Sequence, residues 1–256
     1  MTEDRSNLVP GRNAVLAALK AGQEIDAVYI ASGAGRPNAE SGERSGSLGR
    51  IIALCRERRI PVKEVAPVKL DHMVDVPHQG VIASCSTISY AELDDVFRLA
   101  ESRGEPPFFV ISDELEDPHN LGAVLRTAEC AGAHGLILPK RRGAQMTPAA
   151  VKAAAGAAAR MPVVRADNLV STIETLKKRG VWVYGADMDG QPYQSCDLTG
   201  PIALVVGSEG NGLGRLVEEK CDQLLSLPMY GEVGSLNASV AAGILMYEIM
   251  RQRSRK

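Results

Sequence analysis

From residue 107 onward, short apolar runs alternate with amphipathic stretches. The runs "FFVIS", "GLILP", "PVVR", "VWVYGA", "IALVVG" and "QLLSLP" are rich in aliphatic and β-branched side chains. Bounded by polar or helix-patterned segments, they predict six strands buried on both faces, hence a largely parallel sheet with helices on either side. The first 85 residues predict a smaller α/β unit. A short helix covers "GRNAVLAALKAG" and ends at Gly22, "DAVYIA" is a strand, "SLGRIIALCRERRI" is an amphipathic helix, and "PVKEV" and "GVIASCS" are further strands. Residues 32–47 have no periodicity and read as a mobile polar loop. The acidic "YAELDDVFRLAESRGEPP" reads as a linker helix closed by Gly104 and two prolines. The expected organisation is therefore a domain over 1–85, a linker over 86–106 and a second domain over 107–256, without internal repeats.

The last pattern, "GSLNASVAAGILMYEIMR" (Gly234–Arg251), predicts a buried helix. Val240, Ile244, Tyr247 and Met250 recur at helical spacing, and Leu245 and Ile249 widen the stripe. Its first turns are unusual. Ser235, Asn237 and Ser239 cluster where the helix begins, and Ala238, Ala241, Ala242 and Gly243 give it almost no bulk. Such groups either cap the helix or hold a ligand.

Composition narrows the class. The chain has 256 residues, 45% hydrophobic and 23% charged, as in ordinary globular proteins. No apolar run approaches the ~18 residues of a membrane span, and "MTEDRSNLVP" lacks a signal-peptide stretch. Five cysteines without metal spacing suggest reduced thiols and a cytoplasmic protein. His72, His78, His119 and His134 are scattered and suggest no metal site. The net charge of −2 is unevenly placed: +1 over 1–85, −7 over 86–120 and +4 over 121–256. The clusters "KRR" (140–142), "KKR" (177–179) and "RQRSRK" are compatible with a phosphate-binding surface, although such runs are usually solvated faces.

Ligands of open parallel sheets bind at the carboxyl ends of the strands, and three such ends carry chemistry. "IALVVGSEGNGLGRLVEEK" is a strand, a glycine-rich turn bearing Glu209 and a helix. It lacks the GK[ST] of a P-loop, and its third glycine comes one residue early for the dinucleotide fingerprint. "SDELEDPHNLGAVLRTAECAGAHGLIL" places Asn120 at the opening of a helix, where an N-cap is expected. Arg126 follows ~9 Å further along, either as a surface ion-pair partner of Glu129 or facing an anion. "SLPMYGEVGSLNAS" leads from a strand into the final helix.

In order and spacing, "DPHNLGAVLRTAECAG", "LVVGSEGNGLG" and "LSLPMYGEVGSLNASVA" resemble the three motifs of the SpoU class of RNA ribose 2′-O-methyltransferases. "GRNAVLAALKAG…VYI" and "HQGVIA" resemble the substrate-binding domain of the branch that methylates a guanosine ribose in 23S rRNA. Ala238 stands where the family often has valine, and "KAAAGA" (152–157) lacks a hydroxyl found in many relatives. The resemblance implies a C-terminal trefoil knot, a homodimer, and S-adenosylmethionine held by loops matching 184–186, 206–210, 227–229 and 235–239. Gly185, Gly207, Leu227, Met229, Leu236 and Ser239 are then the expected cofactor contacts. Arg126, Asn120, Glu209, Ser235 and Asn237 are the expected catalytic set; the resemblance gives Arg126 the central role, sometimes as the base, and because guanidinium rarely gives up its proton the preferred role is phosphate clamp and stabiliser of a developing alkoxide, with the base role left open. Arg12, Arg50 and Arg58, with Arg56 and Arg59 beside them, are candidate RNA contacts. A tRNA methyltransferase, a non-catalytic RNA-binding module of the same fold and a dinucleotide-dependent oxidoreductase are the competing readings.

Overall fold

The computed structural model describes residues 7–34, 46–232 and 234–254. Most of the 32–47 loop and the last two residues lie outside them. Contacts divide the chain into two compact units, residues 1–87 and 88–256.

The first unit is a four-stranded sheet with three helices. Its strands are β1 (Leu8–Pro10), β2 (Ile25–Ala31), β3 (Val62–Val65) and β4 (Val81–Cys85), in the order β1-β4-β2-β3. The helices are α1 (Arg12–Lys20), α2 (Gly46–Glu57) and α3 (Pro67–Met73). Val15, Val28, Leu48, Ile51 and Val81 centre a core with no exposed surface beyond 1%. β1 and α3 are absent from the sequence pattern: three residues and seven are too short for periodicity to register.

The second unit contains α4 (Leu93–Arg103), β5 (Phe108–Ser112), α5 (Pro118–Cys130), β6 (Gly135–Pro139), α6 (Pro148–Ala153), β7 (Val163–Ala166), α7 (Leu169–Lys178), β8 (Trp182–Pro192), β9 (Ile202–Val206), α8 (Arg215–Glu218), β10 (Gln223–Ser226) and α9 (Ala238–Arg253). The six strands run parallel in the order β10-β8-β9-β5-β6-β7, as their apolar runs predict. Alternate residues feed two cores. Phe108, Val110, Leu204 and Leu138 face α5, α6 and α9, while Phe109, Ile111, Ile137 and Val205 face α4 and α7.

The acidic segment expected to be a linker is part of this unit. α4 buries Val96 and Ala100, sets the Phe97 ring against Phe109 at a tilt of 59°, and presses so closely on β6 that a Cβ at Gly135 would meet Val96 at 2.6 Å. Its acidic residues decorate only the outer face. The final helix also departs from expectation. Ala242, Leu245, Met246 and Ile249 are buried against the sheet, whereas Val240, Ile244 and Tyr247 are 50%, 40% and 46% exposed. α9 is apolar on two sides, and the stripe facing the core is the one of smaller and longer-reaching residues.

Candidate active site

The carboxyl ends of β8, β9 and β10 surround a cavity of about 340 Å³. The segment 186–188 inside β8 lines one side, the turn 206–212 after β9 another, and residues 227–238 with the first turns of α9 the third. Strands of a parallel sheet all end on one edge, so successive loops converge there.

The glycine turn after β9 is pinched shut. Ser208 N–H donates to the Gly212 carbonyl (2.9 Å) and Gly212 N–H returns a bond to Ser208 O (3.1 Å). A Cβ on Gly207 would lie 2.3 Å from the Gly212 carbonyl group, so only glycine allows this closure. The far end of the turn is held by Asp113, just beyond β5, whose Oδ2 accepts from Gly214 N–H (2.7 Å). Asp113 is 3% exposed. Burial pushes its carboxyl above the ordinary range, against the opposing pull of that N–H. Sequence reasoning passed over this residue. Its one signal is an acidic group immediately after a wholly apolar strand.

Glu209, carried by the turn, ties the three chemistry-bearing segments together. Its Oε1 accepts from Asn120 Nδ2 (2.8 Å), from Asn237 Nδ2 and from Ala238 N–H (3.4 Å). Asn237 Nδ2 also donates to Asn120 Oδ1 (3.1 Å). The same Asn237 caps α9, its Oδ1 accepting from the N–H groups of Ser239 (3.0 Å) and Val240 (3.3 Å) and from Ser239 Oγ (2.6 Å). Capping and site building are thus two ends of one amide.

Asn120 is not the cap of α5. Asp117 is, accepting from His119 N–H (2.9 Å), with Pro118 opening the helix. Displaced into the first turn, Asn120 is released from capping and spans 89 residues to Glu209. Glu209, Ser235, Asn237, Gly207, Leu227, Met229 and Leu236 line the cavity. Gly185 lies behind it, wedged against Leu213 and Leu224, and Ser239 is spent on the cap. Arg126 is exposed on α5, outside the lining, with no hydrogen bond or ion pair to the described residues. Glu129 lies instead 3.9 Å from Arg160.

In the first unit Arg12 Nε donates to Gln79 O (3.1 Å), and Arg58 Nη1 donates to Leu19 O (2.6 Å), fastening α2 to α1. Arg50 and Arg56 are exposed along α2.

Comparison with known proteins follows this division. Residues 107–247 match the model of the SpoU rRNA Methylase family, and residues 8–91 that of RNA 2′-O ribose methyltransferase substrate binding. The chain is 47% identical over 247 residues to YacO of Bacillus subtilis strain 168, assigned by name to the TrmH family of tRNA/rRNA methyltransferases, covering 96% of each. The SpoU methyltransferase AviRb of Streptomyces viridochromogenes, solved with its cofactor AdoMet, is 26% identical at a TM-score of 0.60, covering 98% of this chain and 93% of its own. An AdoMet-bound rRNA methyltransferase of Sinorhizobium meliloti is 26% identical at a TM-score of 0.57, covering 95% and 86%.

Proposed function

The chain belongs to the SpoU methylase family of RNA methyltransferases, and from that premise we propose that it methylates a guanosine 2′-hydroxyl in 23S rRNA, using S-adenosylmethionine. The observation that carries the reading is the Asn120–Glu209–Asn237 tie at the mouth of the cavity, since it draws all three family motifs to one point. The cavity fits the cofactor. Its volume of about 340 Å³ falls in the ~300–1,000 Å³ range of small-ligand sites. Leu227, Leu236 and Leu245 offer an apolar lining, and the backbone of the glycine turn offers polar edges. Bound there, S-adenosylmethionine supplies an electrophilic methyl group on its sulfonium.

The residues then divide the remaining work. Glu209, held by two amides and a backbone N–H, fixes the turn. Asn120 and Ser235 place the ribose against it. Arg126 stands outside the cofactor cavity, where its permanently charged guanidinium meets the RNA, clamping a phosphate and stabilising the negative charge that develops on the 2′-oxygen, whose proton passes to solvent. The knotted threading of the cofactor loops belongs to the same proposal, supported by the convergence of segments from β8, β9 and β10. So does a homodimer, supported by the exposed apolar stripe Val240, Ile244 and Tyr247 on α9. The choice of rRNA rests on the substrate-binding module at 8–91 and on the rRNA methyltransferase among the similar structures.

The test is transfer of labelled methyl groups from S-adenosylmethionine to 23S rRNA and to tRNA in parallel, followed by mapping of the modified nucleotide. Ribose methylation of one guanosine in 23S rRNA is expected, with Arg126→Ala slower by ~10²–10³. Transfer to tRNA alone would replace the target, and transfer to neither would remove the enzymatic reading.

A further inference from the structure

The cofactor cavity offers an RNA backbone no cation. Among the described residues its lining carries two carboxylates, Asp187 and Glu209, and no lysine, arginine or histidine. A ribose inside an RNA chain has a phosphodiester on either side. Its arrival therefore brings anions to the carboxyl edge of the sheet, and the cations that meet them must stand outside the lining.

The turn after β6 meets that requirement. β6 lies two strands from β9 in the sheet, ~10 Å at the usual strand spacing, and leaves it at the same edge as the glycine turn. Of the cluster Lys140, Arg141 and Arg142, the lysine is structural. Its Nζ pairs with Asp167 (2.7 Å) and its N–H donates to Ala166 O (2.9 Å). Arg141 and Arg142 are exposed, with no hydrogen bond or ion pair to the described residues. Glu114 and Glu116, on the neighbouring loop, pair with neither arginine, and Asp117 is taken as the cap of α5. These acids shorten the reach of the field, so the arginines act by contact. The backbone beneath them is fixed. Gln145 Nε2 donates to Pro139 O (2.9 Å) and reaches the Gly143 and Ala144 carbonyls (3.3 Å each). Ala144 N–H donates to Leu115 O (2.6 Å), in the loop that delivers Asn120.

We propose that Arg141 and Arg142 form a phosphate clamp for the RNA backbone flanking the methylated ribose, in addition to Arg126. The proposal rests on the reading that the substrate is RNA. Planar guanidinium groups match phosphate oxygens in pairs of hydrogen bonds, and a braced turn needs no ordering of its backbone to present them. The conformation of Arg142 points the same way. Its φ of 58° is left-handed, which strains any residue carrying a Cβ and which glycine adopts freely. Within the fold the guanidinium makes no bond that would offset this strain, so the side chain is held there for a partner outside the chain.

The test is filter binding of the full chain to a 23S rRNA transcript and to an unrelated RNA of equal length, over a series of salt concentrations. Arg141→Ala combined with Arg142→Ala should weaken both RNAs by the same factor, about tenfold, and flatten the salt dependence by a log–log slope of ~1.5. S-adenosylmethionine affinity, read by calorimetry, should be unchanged. Arg103→Ala removes a charge at the end of α4, where the chain approaches the amino end of β5. Screened from the site, it should leave RNA affinity within about twofold. Arg142→Gly should lose as much RNA affinity as Arg142→Ala and yet melt above it, because only glycine relieves the left-handed strain. An unchanged affinity or salt slope in the double variant overturns the proposal. So does a loss in Arg103→Ala as large as that in Arg142→Ala, which would make the effect one of net charge. An Arg142→Gly variant that melts below Arg142→Ala would overturn it too, by showing the residue to be unstrained. A parent chain that binds S-adenosylmethionine but neither RNA removes the RNA reading and the clamp together, whereas unaltered binding by the double variant removes the clamp alone.

Discussion

Asn237 serves two purposes through one amide, and a pair of substitutions separates them. Asn237→Asp keeps the Oδ1 acceptor that receives Ser239 and Val240 N–H. Aspartate caps helices about as well as asparagine, and its charge is favoured at a helix N-terminus. What disappears is the Nδ2 donor to Asn120 and Glu209, replaced by a second carboxylate facing Glu209. Asn237→Ala loses both the cap and the tie. A lost cap costs ~1 kcal/mol. For the unit spanning 88–256 that corresponds to roughly 2–4 °C in Tm. The alanine variant should therefore melt about 2–4 °C below the parent and the aspartate variant within about 1 °C of it. Turnover should fall in both. Displacing a positioning group by ~1 Å can cost ~10²-fold, and the aspartate variant should be the slower because like charges drive the glycine turn away from α9. Thermal scanning and single-turnover methyl transfer read the two quantities separately. An aspartate variant with parental turnover, or one melting as low as the alanine variant, would refute the division of labour.

Gly207→Ala should eliminate S-adenosylmethionine binding in calorimetry, because the added Cβ would sit 2.3 Å from the Gly212 carbonyl group; retained affinity would mean that the turn opens without harm. Asp113→Ala should weaken cofactor binding about tenfold by leaving Gly214 N–H unpaired, whereas Asp113→Asn, which still offers an acceptor, should restore most of it; equal losses in the two variants would contradict the anchoring role. His134 is fully buried, its Nδ1 accepting from Phe108 N–H (3.0 Å) and its Nε2 facing Glu105 (3.1 Å). Burial lowers its pKa below 6.5, outweighing Glu105, with Arg103 and Arg253 adding to the lowering. The folded state thus binds the proton less readily than the unfolded one. The associated stability is complete above ~6.5 and is lost as pH falls below it. Tm should drop between pH 7.5 and 5 and do so less steeply in His134→Gln; identical profiles would exclude the histidine.

Much of this was legible because burial writes itself into composition. The six central strands are apolar on both faces and bounded by helix patterns, so their number and parallel arrangement follow from "FFVIS" to "QLLSLP" alone. What escaped is set by tertiary contact. Asp117 and Asn120 are both good caps, and only the position of Pro118 relative to the first turn decides between them. Val240 and Leu245 fit equally good helical stripes, and nothing local says which faces the sheet. α4 looked like a linker because its outer face is acidic, although its inner face is core. The grouping of Asn120, Glu209 and Asn237 came from family resemblance, since residues 89 and 117 positions apart carry no mutual signal in a single chain.

The fastening of this unit by α9 gives its assembly a direction in time. Arg253 reaches back 147 residues to the Pro106 carbonyl at the entrance to β5, and Asn237 closes the tie that Asn120 and Glu209 begin. A chain being made from its N-terminus can form the first unit and pair β5, β6 and β7 early. The face of the sheet that Ala242, Leu245, Met246 and Ile249 later cover stays bare until α9 has emerged. The newborn polypeptide would therefore hold a folded first unit well before the second is complete, with the site of the second unit closing only when the last helix docks. Interruption of synthesis anywhere before α9 leaves an inert, sticky fragment of the kind that quality-control proteases remove.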